Sequence, residues 1–174
     1  LGPAQCLGYD LGTQCLLAVH ASRESLSFQG DIMHHKFVTV DGRYVWTGST
    51  NMSDSGTGGY NANLVLVIDS PKIAERYKTE MDQMVEEKKF HMGKRRAYSK
   101  TMIEVDDQTK VDLRFTPQDS PIKHGIRPKL QKAKKSIDVA VFFLTHKHIT
   151  RDLIDAHRRG VKVRIIMDAT GAKN

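Results

Sequence analysis

MHHKFVTVDGRYVWTGSTN, residues 33–51, carries the pattern on which the fold turns. Met33–Val40 alternates loosely and is rich in β-forming residues. Asp41-Gly42 is a strong two-residue hairpin turn, and Arg43–Gly48 runs back as the partner strand. Side chains alternate along a strand, so His34 and Lys36 share a face, roughly 6.5–7 Å apart, while His35 faces the other way. With Asp41 and Gly42 as the whole loop, Val40 pairs with Arg43, His34 faces Ser49 and Lys36 faces Thr47. A slip of one residue puts Asn51 opposite His34 instead. Either register gathers an imidazole, an ammonium, a hydroxyl and an amide, with Gly48 allowing close backbone approach. That is a phosphate-binding set containing a nucleophile.

Working outward, Ser53–Tyr60 reads as a Ser/Gly loop. Its SGTGGY run is no P-loop, because no Gly-Lys-Ser/Thr follows. Asn63–Ile68 is nearly continuous in apolar residues, which predicts a strand buried on both faces. Ser70 can cap a helix with Pro71 at its first position, and Ile73, Tyr77, Met81, Met84 and Val85 form its apolar stripe. Residues 1–30 show no convincing element. Lys88–Lys100 and Ile122–Lys135 each hold six Lys and Arg and no acid. The first reads as a linker or exposed arm, the second as an amphipathic helix delayed by Gly125 and Pro128. Val111–Phe115 is a strand ended by Thr116-Pro117. Ile137–Thr145, Lys147–Arg159 and Val161–Asp168 then read as strand, helix, strand, with Ile149, Leu153 and Ala156 inward and Gly160 as the helix C-cap. Short joints make this a βαβ unit with parallel strands.

The chain of 174 residues is long enough for a sizeable core. Its longest apolar runs, such as Val139–Leu144, are too short to span a bilayer. Cys6 and Cys15 fit neither a disulfide scaffold nor a four-ligand zinc site. The net charge of +7 is unevenly spread: residues 1–87 carry 6 Lys and Arg against 11 Asp and Glu, and residues 88–174 carry 21 against 9. Such asymmetry points to an anionic partner met mainly by the second half. Nothing in the sequence fixes the compartment.

His34-x-Lys36, four residues, Asp41, six residues, then Gly48-Ser49-x-Asn51 resembles the HKD signature of the phospholipase D superfamily, with every spacing kept. The strand and helix that follow also resemble that family. So does the second half, in RFTP, KAKKSIDVAVFFLT and RDLIDAHRRGVKVRIIMD, which looks like the opening βαβ of a lobe. The resemblance implies an α/β fold, a phospholipase D-like α-β-α sandwich with a mixed sheet, present as an incomplete or circularly permuted lobe. The divisions it implies are an unassigned segment 1–30, a closing half 31–87 with the signature, a basic linker 88–110, and an opening half 111–174 of a second repeat.

What the resemblance implies chemically is phosphodiester hydrolysis, or transfer to an alcohol, through a phosphohistidine. His34 would be the nucleophile or the general acid, Lys36 and Asn51 would hold phosphoryl oxygens, and Ser49 would orient or assist. Asp41 and Gly48 would shape the hairpin. No cofactor and no metal is expected, since lysines supply the positive charge. Two signatures are needed at one centre, and no second one exists in the chain, so the other must come from a homodimer or a missing repeat. Candidate substrates are nucleic acid, slightly favoured for want of Trp or Phe membrane anchors, and phospholipid headgroups. The other reading is a catalytically silent fragment or a phosphate- or nucleic-acid-binding module. Family members often carry an acidic residue downstream of the reactive histidine to orient an imidazole. Tyr60, Asn61, Ala62 and Asn63 stand there instead, leaving an amide or the missing repeat to take that part.

Overall fold

A computed structural model describes residues 33–173. The N-terminal unassigned segment, Cys6 and Cys15 lie outside the described residues. The chain divides into two compact units, one ending at Leu113 and the other beginning at Arg114.

In the first unit, β1 (Phe37–Val40), β2 (Tyr44–Gly48) and β3 (Val65–Asp69) form an antiparallel sheet in that order. A four-residue helix, α1 (Asp54–Thr57), stands between β2 and β3. It replaces part of the expected Ser/Gly loop, because the Ser53 side chain caps it by accepting from the Gly56 amide at 3.1 Å. Helix α2 (Pro71–Val85) starts as its sequence dictates, with Ser70 as N-cap and Pro71 in the first turn. It lies across one face of β1 and β2. There Val45, Ile73 and Ala74 are buried, and the Phe37 and Tyr77 rings meet edge to face at 4.9 Å.

The sheet differs from expectation in two ways. Its ladder pairs Val40 with Tyr44 and Phe37 with Thr47, so neither anticipated register is present. Arg43 is the extra residue. Its amide closes the turn on Val40, its carbonyl accepts from Ser70, and its guanidinium holds Asp69 at 2.6 and 2.8 Å. These ties draw Arg43 out of the β1–β2 ladder and toward the end of β3. Second, β3 is not buried on both faces: Val67 is 71 % exposed. It is an edge strand of an antiparallel sheet, and α2 covers only one side.

The α2 stripe is also redistributed. Ile73, Tyr77 and Met84 are buried as expected, but Met81 is 47 % exposed while Glu80 and Gln83 are buried. Residues 88–110, expected as a basic linker, contain a 3₁₀ turn (His91–Gly93) and β4 (Met102–Glu104), which pairs as a hairpin with β5 (Lys110–Asp112). Arg95 donates its amide to the Gln83 side chain at 2.8 Å, which pins this segment beside α2.

In the second unit, a π-helical turn (Pro121–Ile126) leads into α3 (Arg127–Lys132). Then come β6 (Ser136–Val141), α4 (Lys147–Arg158) and β7 (Lys162–Met167), with β6 and β7 parallel as expected. Leu130, Leu153, Ala156 and Val161 form its core. The buried Asp152 ties α3 to α4, accepting from Arg127 at 2.6 Å and from Gln131 at 3.0 Å.

Candidate active site

The segment holding His34 and Lys36 stands before the first ladder pair, which is Phe37 with Thr47. Two hydrogen bonds fix the approach: the Thr47 hydroxyl donates to the Lys36 carbonyl at 3.1 Å, and the Lys36 ammonium donates to the His34 carbonyl at 3.0 Å. His34 is exposed and Lys36 half-buried. Burial lowers the Lys36 ammonium from its ordinary pKa.

Gly48, Ser49 and Asn51 leave β2 at the same end of the hairpin. A Cβ on Gly48 would stand 2.0 Å from the Leu64 carbonyl oxygen, so only glycine lets β3 come this close. Ser49 then braces that crossing. Its amide donates to Leu64 at 2.9 Å, its hydroxyl accepts from the Leu64 amide at 3.0 Å, and the same hydroxyl donates to the Asn63 side chain at 3.0 Å. Asn63 in turn donates to the Gly56 carbonyl at 3.2 Å. One of the two amides standing where an acid was expected is thus tied to Ser49 and α1. Asn51 is exposed, and its carbonyl accepts from the Ser53 amide at 2.9 Å. Gly56 packs against that carbonyl so closely that a Cβ would lie 2.2 Å away, which fixes where the Asn51 backbone can sit.

Asp41 occupies the turn with φ 52, remote along the hairpin from the end that carries His34 and Asn51. His35 turns to α2, where its Nε2 lies 2.9 Å from Glu80 Oε1 and its ring meets Phe37 edge-on at 5.6 Å. Behind it the Tyr77 hydroxyl donates to Thr47 at 3.3 Å. Glu80 and Lys94 belong to this backing and were not legible from the sequence. A search for apolar periodicity passes over charged residues, and nothing local joins position 80 to position 94. Among the described residues no cluster of His, Cys, Asp and Glu could hold a metal ion, and no helix is long and apolar enough to cross a membrane.

Residues 12–85 and 126–174 match the family described as cardiolipin synthase, PLD-like domain. The chain belongs to this family, which lies within the phospholipase D superfamily that its signature resembles. The match begins at residue 12, inside the segment that sequence reading left unassigned, and omits residues 86–125. Comparison with the curated proteins and with the solved structures returned no match. Membership points to phosphodiester chemistry.

Proposed function

We propose that the chain supplies one half of a phosphodiester-cleaving centre, acting through a phosphohistidine. The observation that carries this reading is the convergence of His34-x-Lys36 and Gly48-Ser49-x-Asn51 at one end of the β1–β2 hairpin, joined by the Thr47 to Lys36 hydrogen bond. In the forward step one imidazole nitrogen attacks phosphorus, and the bond from phosphorus to the leaving oxygen breaks. The second imidazole gives its proton to that oxygen. Water, or an acceptor alcohol, then attacks the phosphohistidine, the bond from phosphorus to nitrogen breaks to free the first imidazole, and the attacking oxygen gives its proton to the second imidazole. His34 takes one of these two roles. Lys36 and Asn51 meet the oxygens on which charge grows in the transition state. Ser49 holds the crossing from which Asn51 emerges.

The second imidazole comes from another copy of the signature, in a homodimer or a further repeat. The fold we infer is the α-β-α sandwich, with 31–87 as a closing half and 111–174 as an opening half. The one-sided cover of the β1–β2–β3 sheet supports a layered assembly of this kind. The shared ligand chemistry is a phosphodiester. The excess of Lys and Arg after residue 88 suits an anionic polymer or an anionic lipid surface.

Specific activity toward bis(p-nitrophenyl) phosphate, followed against concentration of the full chain, tests the reading. It should rise with dimer formation and survive excess EDTA, since side-chain donors rather than a metal carry the charge. Parallel arms with single-stranded DNA and with phosphatidylglycerol vesicles separate the two sources of phosphodiester. Full activity in a proven monomer, or loss on chelation restored by Mg²⁺, overturns it. So does an assembly that binds these substrates without turning any over, which would instead mark a binding module.

A further inference from the structure

His34 and Lys36 stand outside the β1–β2 ladder, so ladder hydrogen bonds do not set their position. Side chains do that work, and the most deeply placed of them are charged. Glu80 on α2 is 1 % exposed and Lys94 is 5 % exposed at the side chain. The Lys94 ammonium pairs with Glu80 Oε1, the same oxygen that lies 2.9 Å from His35 Nε2, and stands 3.4 Å from that nitrogen. His35 is thereby clasped at its ring edge, with Phe37 and then Tyr77 packed beyond it. Since His35 is covalently flanked by His34 and Lys36, clasping its ring sets the backbone that presents both.

We propose that Glu80 and Lys94 are positioning residues of the active site, acting through His35 on His34 and Lys36. The inference rests on the half-site reading above. Two further observations support it. A buried ion pair is poor value as a source of stability, because desolvation offsets most of the Coulomb attraction and an apolar pair of like volume often serves as well. Its presence behind a reactive hairpin is better explained by the orientation it imposes. Second, Lys94 lies in residues 86–125, outside the family match, so the clasp is contributed by a segment that the shared family pattern does not describe. That segment is itself held to α2, through Arg95 on Gln83 and through the Lys89 amide on the Gln83 carbonyl at 2.8 Å.

Because removing one charge leaves the other buried, Lys94→Met and Glu80→Gln should each lower the melting temperature. The informative variant is the double one, Glu80→Leu with Lys94→Met, which removes both members of the ion pair and the acceptor that faces His35. In the assembly that carries two signatures it should melt close to wild type, yet show kcat for bis(p-nitrophenyl) phosphate reduced by about 10²-fold with KM little changed. A purely structural network would let turnover return with stability, and a double variant at the wild-type rate overturns the inference. His34→Ala in the same assembly separates the two failures: if it too keeps the wild-type rate, the half-site reading is what has fallen. A second measurement needs no turnover. Diethyl pyrocarbonate should carbethoxylate His34 about tenfold faster than His35 in the wild-type chain, with the gap closing in the double variant. Equal rates in the wild type would show that the His35 ring is not clasped, and would overturn the proposal.

Discussion

At the scale of single residues, the hairpin places three neighbours in three different situations. His34 is exposed, His35 lies against Glu80, and Lys36 is half-buried with its ammonium on the His34 carbonyl. The expected order of effects follows from those positions. In a two-signature assembly, His34→Ala should lose about 10³-fold or more in turnover, as removal of a nucleophile or proton donor does. Lys36→Ala should lose about 10²–10³-fold, by analogy with deletion of a donor to a developing oxyanion. Asn51→Ala should lose less, a neutral donor being weaker than a charged one. His35→Ala should lower the melting temperature and cost far less turnover than His34→Ala. Steady-state rates and thermal melts on the same four variants check the order. A dead His35→Ala beside an active His34→Ala would mean that the strand face has been assigned the wrong way round. Residue types and spacing picked out this candidate set, and the hairpin carries its members at one end. The exact partners were not legible, because Ser49 could equally have faced His34 as braced Leu64 and Asn63.

Elements show where pattern reading succeeds and where it stops. Helix α2 was readable from its apolar repeat and its Ser-Pro start, helix α4 from its apolar repeat and the glycine after its end, and the parallel pairing of β6 with β7 followed from their short joints. The β1–β2 register was not readable. A turn signal fixes where a hairpin reverses, but Arg43 was displaced by partners on β3 that no local rule contains. The β4–β5 hairpin was missed for a related reason: at three residues each, its strands are too short to show alternation. Burial of Glu80 and Gln83 instead of Met81 depends on what α2 packs against, and that partner lies further along the chain. Gly48→Ala tests how tightly the β2–β3 crossing is built. The added methyl would meet backbone atoms of Leu64 and Val65 that cannot rotate away, so a loss of about 1–3 kcal/mol or more is expected in chemical denaturation. A neutral result would show that β3 can shift at no cost.

For the molecule as a whole, acid stability is set by carboxylates held below their ordinary range. Arg95 and Lys89 hold Glu87 at about 2, and Arg127 lowers Asp152. Burial alone would raise Glu80, but its bonds to His35 and Lys94 outweigh that and leave it lowered. A carboxyl with a depressed folded pKa contributes stability that is fully present above its unfolded value and is lost as pH falls through the folded one. The melting temperature should therefore stay nearly level from pH 7 to about 5 and decline below about 4.5. A melting temperature that rose on acidification through this window would contradict those ion pairs. The clasp of Glu80 by Lys94 also bears on ancestry. A lineage that changes either position alone breaks a buried ion pair, at a cost of about 3–5 kcal/mol. Among descendants of this chain, positions 80 and 94 should therefore be inherited as a matched pair, both charged or both neutral. Loss of the segment that brings Lys94 should leave its mark on the helix, as a carboxylate replaced by something that can live without a cation.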